Sequence, residues 1–169
     1  MAAWEFQALQ NVASRNGWHQ FISMQNYYNL IGREEEREMI PYCLETGVGI
    51  IPWSPLARGM LARPWNSRAT IRETSDRTLR RFFRARETDV DKAIVDRLTE
   101  VARKKGLSMA QVATAWSLCK EGVNPILGLT SKERIDEAVA TVGVKLTKEE
   151  IDYLEELYVP KEVVPLMER

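Results

Sequence analysis

The run Val48-Gly49-Ile50-Ile51-Pro52 constrains the fold more than any other segment of the chain. It is apolar, β-branched and nearly uninterrupted, the pattern of a strand covered on both faces rather than one with a wet side. Such a strand needs helices above and below it, so the sequence around it should alternate between strand and helix.

The flanking segments supply that alternation. Trp4, Ala8, Leu9, Val12 and Ala13 recur at close to helical spacing over residues 2–15, and Asn16-Gly17 ends the segment. Phe21-Ile22-Ser23-Met24-Gln25 is compatible with a short buried strand. Residues 33–45 return to helix with Met39, Ile40 and Cys43 on one side, and Gly47 stands where a left-handed C-terminal cap would fall. An arginine-rich stretch over 57–87, with Pro64-Trp65-Asn66-Ser67 and no long apolar period, reads as a long loop of the functional kind.

Beyond that loop, residues 89–104 read as a helix through Ala93, Ile94, Leu98 and Val101. Ser108 with Gln111 makes a capping box for the next helix, which should bury Met109, Val112, Ala113, Trp116 and Cys119. Ile126-Leu127 is a third strand candidate. Thr130 with Glu133 opens a helix through Ile135, Ala138 and Val139, and Thr147 with Glu150 opens the last one through Ile151, Leu154 and Leu157. The expected fold class is α/β with a parallel sheet of about three strands, too few to close a barrel by themselves.

Charge and cysteine usage narrow the partners. The 24 Lys and Arg balance the 24 Asp and Glu and are interspersed with them, which argues against nucleic acid. No apolar run approaches the roughly 20 residues that cross a bilayer, and Met1-Ala2-Ala3-Trp4-Glu5 has neither the basic start nor the apolar stretch of a signal peptide. A cytoplasmic protein without membrane contact is expected. Cys43 and Cys119 lie inside helical patterns and should be buried, reduced thiols. His19, the single histidine, reads as a loop residue, and without a second one no metal site is expected.

Three places carry chemistry. Trp53 closes the Val48–Pro52 strand, and the C-terminal ends of strands in α/β barrels form the ligand-binding face. An indole there either offers a flat surface on which a planar ring of a ligand can stack or plugs the core. Gln25 ends the preceding strand candidate with an amide that can donate and accept at once, or it is an interior polar residue satisfied by the backbone. Thr130 and Ser131 sit at a helix start, where free N–H groups and the positive dipole end favour a phosphate, and Arg134 lies one turn in. An ordinary capped helix with a surface arginine has the same sequence.

Three segments together carry a resemblance that weighs these alternatives. They are Ser23-Met24-Gln25-Asn26-Tyr27-Tyr28-Asn29-Leu30 with Arg33-Glu34-Glu35-Glu36-Arg37-Glu38, then Pro52-Trp53-Ser54-Pro55-Leu56-Ala57-Arg58-Gly59, then Gly128-Leu129-Thr130-Ser131-Lys132-Glu133-Arg134-Ile135. From about Ala2 to Leu157 the chain resembles the C-terminal half of aldo-keto reductases, most closely the aryl-alcohol dehydrogenase-like and potassium-channel β-subunit-like members. The resemblance implies a partial (β/α)8 TIM barrel over residues 1–169, about its last three strands with their helices. Residues 57–87 would be a long cofactor-side loop and 147–169 a C-terminal helix and tail. A complete barrel of this type takes about 250 residues.

The resemblance also implies NADP(H) as cofactor. Trp53 would stack on the nicotinamide, and Gln25 would bond its carboxamide. Ser54 and Leu56 would contact the pyrophosphate, with Arg58 continuing that loop. Thr130, Ser131 and Arg134 would take the adenosine 2′-phosphate, and Glu137 would lie near the adenine amine. Two positions depart from the family pattern: Gly128 replaces a frequent lysine and Ala138 a frequent asparagine or glutamine, leaving Arg134 with Lys132 or Arg58 to select the phosphate.

No catalytic residue is expected within these residues. The family's tyrosine acid, its lysine and aspartate and its usual histidine belong to the first half of the barrel, and Tyr27, Tyr28 and Tyr42 do not occupy those positions. The intact form would reduce aldehydes or ketones, aryl ones by the branch it resembles. The alternative is a non-catalytic module that binds a nucleotide or oligomerises through open sheet edges. Expected partners are accordingly the dinucleotide and either a missing N-terminal half or a second copy.

Overall fold

A computed structural model describes residues 1–67, 75 and 84–162. Parallel strands form its centre. β1 (Ser23–Met24) pairs with β2 (Gly49–Ile50), Ser23 opposite Gly49 and Met24 opposite Ile50. The ladder runs on as single bridges: Tyr27 lies parallel to Trp53, Ile50 to Val123, and Trp53 to Ile126. The Gly49, Ile51 and Trp53 N–H groups donate to Ile22, Met24 and Asn26, while those of Ile50, Asn124 and Ile126 follow the same slanted pattern with 122–126. β2 is therefore the middle of three parallel segments, as its unbroken apolar run requires.

Helices surround this sheet where the periodicity placed them. They are α1 (Ala3–Arg15), α2 (Met39–Thr46), α3 (Asp89–Lys105), α4 (Met109–Leu118), α5 (Lys132–Thr141) and α6 (Lys148–Glu155). Ser108 and Thr147 cap α4 and α6 through capping boxes with Gln111 and Glu150, and Gly47 ends α2 at φ 71°. Thr88 and Asp91 form one more box at the start of α3. The helix expected over 33–45 divides into a 3-10 turn at Glu34–Glu36 and α2. Of the 57–87 loop, Ala57–Ala62 and Arg84–Arg86 are 3-10 turns, and 68–74 and 76–83 lie outside the described residues, as does the tail from 163.

The core joins the sheet to α2, α3, α4 and α6 through fully buried Ile50, Cys43, Ile94, Leu98, Trp116 and Leu154. Arg33 fastens α6 to this core. Its guanidinium donates to Glu36 and to both the carboxylate and the carbonyl of Glu155. It also lies 5.9 Å from the Trp116 ring centroid and 5.2 Å from that of Tyr158.

Several expected faces are corrected. In α1 the buried residues are Phe6, Gln10 and Ala13, whereas Trp4, Leu9 and Val12 are exposed. Gln10 faces inward because its amide closes two hydrogen bonds with the Phe21 backbone, at 2.9 and 2.8 Å. In α5 only Thr141 is buried, and Ile135 and Val139 face outward. Cys43 is buried as expected, but Cys119 is exposed, since it follows the last turn of α4 and lies off the Val112–Trp116 face. The exposed apolar residues Phe21, Ile22 and Ile126 line the two outer segments of the sheet.

Candidate functional site

The parallel register brings the ends of the three segments side by side: Tyr27, Trp53 and Ile126 are neighbours in one row, and Gln25 lies two residues before Tyr27, at the level of Ile51. Gln25 is exposed there, and Trp53 is half-buried. The Trp53 indole meets the Tyr27 ring at 4.8 Å between centroids with a 49° tilt. Asn26 is 6% exposed, and its amide finds no hydrogen-bond partner among the described residues.

The chain leaving Trp53 is held in an unusual shape. Ser54, Ala57 and Arg58 all have positive φ, at 54°, 45° and 56°. Each such residue costs about 1 kcal/mol or more when it is not glycine, so the loop persists only because its surroundings hold it. Ala57 and Leu61 are fully buried anchors. The Ser54 carbonyl accepts from the Ala57 N–H at 2.8 Å and from Asn29 Nδ2 at 3.0 Å. Leu56 packs on the core, and its carbonyl accepts the N–H groups of Gly59 and Leu61. Ser54 and Arg58 stay half-exposed beside it.

A second polar cluster opens α5. The N-cap is Ser131, whose hydroxyl accepts from the Arg134 N–H at 3.4 Å, not Thr130 as the sequence suggests. Thr130 instead accepts from Arg134 Nη1 at 3.3 Å. The two hydroxyls are adjacent in sequence, and Ser131 has the extended backbone of a cap. Hydrogen bonds from its own N–H and from Ser131 hold the Glu133 carboxyl below its ordinary pKa, the behaviour of an anion at a helix N-terminus. Lys132 pairs with Asp136 along the helix. Glu137 is half-buried on the next turn, and its carbonyl accepts the Thr141 hydroxyl.

Tyr27 and Tyr28 are not tuned as acids. Burial pushes the phenols of Tyr27 and Tyr28 well above their ordinary value, and for Tyr28 the bond to Glu36 adds to the shift. A proton donor at neutral pH needs the opposite shift. Among the described residues no cluster of three or more His, Cys, Asp or Glu could hold a metal, and no helix is long and apolar enough to cross a membrane.

Sequence reasoning missed Asn29, which is fully buried and reaches the loop 25 residues on. Its signal was present in Asn29-Leu30-Ile31-Gly32, a turn composition. The Asn29 and Gly32 backbones bond each other in both directions.

An aldo/keto reductase family model matches residues 2–159, and the chain belongs to that family. It is 68% identical over 165 residues to a versiconal hemiacetal acetate reductase of Aspergillus parasiticus, covering 98% of this chain and 48% of the relative. A protein of Schizosaccharomyces pombe named as an aryl-alcohol dehydrogenase is 54% identical, with 95% of this chain and 45% of that protein covered. An aldo-keto reductase of Fusarium vanettenii is 49% identical, with 96% and 44% covered. The chain thus spans about half the length of the curated relatives it matches.

Proposed function

We propose that these residues are the dinucleotide-binding portion of an NADPH-dependent reductase of aldehydes and ketones, aryl carbonyls among them, acting in the cytoplasm. The observation that carries the reading is Trp53 at the strand end, paired with Tyr27 two residues past Gln25 and followed at once by the strained Ser54–Arg58 loop. Strain of this kind clusters at ligand sites. The residues fit the group: Trp53 offers a half-buried ring face, and the buried Asn26 amide beside it is unpartnered among the described residues.

In this reading Trp53 orients the nicotinamide face, and Gln25 bonds the carboxamide. Ser54, Leu56 and Arg58 line the pyrophosphate. Leu56 contributes its N–H and side chain, because its carbonyl is already engaged. Thr130, Ser131 and Arg134 take the 2′-phosphate at the start of α5, and Glu137 meets the adenine amine. NADPH, when bound, supplies a hydride. The tyrosine acid and its lysine, aspartate and histidine companions come from outside these residues, consistent with the raised phenols of Tyr27 and Tyr28.

The three parallel segments are then the last sector of a (β/α)8 barrel formed as one domain over 1–169, and further strands cover Phe21 and Ile22 on one side and Ile126 on the other. Exposed apolar residues along both outer segments also favour a second reading, a non-catalytic module that self-associates through those edges. Calorimetric titration of the full gene product decides between them. NADPH should bind more tightly than NADH, and Arg134→Ala should weaken NADPH by about tenfold, the scale of one charge-assisted hydrogen bond, while leaving NADH little changed. Equal losses for both would remove the 2′-phosphate role. No dinucleotide binding together with a defined oligomer would favour the second reading.

A further inference from the structure

The geometry points to Asn29 as the positioning residue of the cofactor loop: through the Ser54 carbonyl it holds the backbone after Trp53 in its left-handed shape, so that the loop is set before any ligand arrives. The inference rests on the dinucleotide reading above.

Asn29 is fully buried, and its amide is divided between two tasks. Oδ1 accepts the Ile31 N–H at 3.1 Å, which fixes the side chain against its own turn. Nδ2 donates to the Ser54 carbonyl at 3.0 Å, across a gap of 25 residues. Two residues before Asn29, the Tyr27 ring lies against Trp53. One side chain therefore ties together the turn and the first strained residue of the loop. Gly32 completes the arrangement, since a Cβ there would fall 2.4 Å from Tyr27 Cε1.

Ser54 is the residue that needs such a tie. At φ 54° it occupies a region that glycine enters freely and serine does not. Without the Asn29 bond its peptide would relax toward the right-handed or extended regions. The same carbonyl accepts the Ala57 N–H, so relaxation would release the turn that carries Leu56 and Arg58. The dinucleotide would then have to order the loop as it binds, which lowers affinity without removing any contact.

The test uses the full gene product and calorimetric titration with NADPH. Asn29→Asp keeps the acceptor for Ile31 but loses the donor to Ser54, and should weaken NADPH binding about tenfold. Adding Ser54→Gly, which makes the left-handed backbone cost-free, should shrink the Asn29→Asp effect to about threefold or less relative to Ser54→Gly alone. If the buried carboxylate prevents folding, Asn29→Ser serves the same arms without charge. Thr147→Ala provides the control for simple destabilisation: it removes the cap of α6, which packs on α3 rather than on the loop, and should leave NADPH affinity within about twofold. Wild-type affinity in the Asn29 variants, or an Asn29 effect equally large with Ser54→Gly, would overturn the inference and leave the dinucleotide reading standing. Failure of the unaltered protein to bind NADPH would overturn both.

Discussion

Replacing Glu155 tests how the last helix is held. Its Oε1 accepts from Trp116 Nε1 at 2.7 Å and from Lys120 Nζ at 2.5 Å, and its Oε2 from Arg33 Nη2 at 2.9 Å. The Arg33 and Glu155 side chains are only 12% and 18% exposed, so the pair is largely out of water. Breaking such a pair costs about 3–5 kcal/mol, because the surviving charge stays buried. Lys120 is 25% exposed and can turn to solvent, while Arg33 keeps Glu36, so Glu155→Ala belongs at the lower end, about 3 kcal/mol. With a urea dependence of about 2 kcal/mol per molar, the unfolding midpoint should fall by about 1.5 M at unchanged slope. Glu155→Gln retains an acceptor for Trp116 and should cost about half as much. An alanine variant that loses less than about 1 kcal/mol, or a glutamine variant worse than alanine, would refute the reasoning.

Two further outcomes follow from single contacts. Gly32→Ala forces a methyl group into the Tyr27 ring and should destabilise the protein by about 1–3 kcal/mol while changing the near-ultraviolet dichroism of the Tyr27–Trp53 pair; unchanged stability and spectrum would contradict the close approach. Burial raises the Glu36 carboxyl, but hydrogen bonds from Arg33 and Tyr28 more than offset this and hold it below its ordinary value. A depressed carboxyl stabilises the fold above its unfolded value of about 4.3, and the stabilisation is lost as pH falls through the folded value. The stability gap between the wild type and Glu36→Gln should therefore close on acidification below about pH 4, and a gap independent of pH would refute the pairing.

What the sequence made legible was local. The capping boxes at Ser108 and Thr147, the left-handed cap at Gly47 and a strand within Val48–Pro52 are each determined by residues within a few positions of one another, and the structure contains the caps whole and the strand as Gly49–Ile50. The helix faces were less legible. Apolar periodicity in α1 and α5 signals a stripe but not what covers it, and Gln10 turns inward through bonds to Phe21, 11 residues away. Trp53 was readable because a large aromatic ending an apolar strand is conspicuous. The strained backbone after it was not, since Ser54, Ala57 and Arg58 are not glycines and their conformation depends on buried anchors and on distant Asn29.

The most direct test of the account is a calorimetric titration of NADPH into the full gene product, wild type and Trp53→Ala side by side. A single site is expected in the wild type and at least a tenfold loss when the ring is removed, the scale of one stacked aromatic face. Equal affinity in the two proteins, or no binding to the wild type, would contradict it.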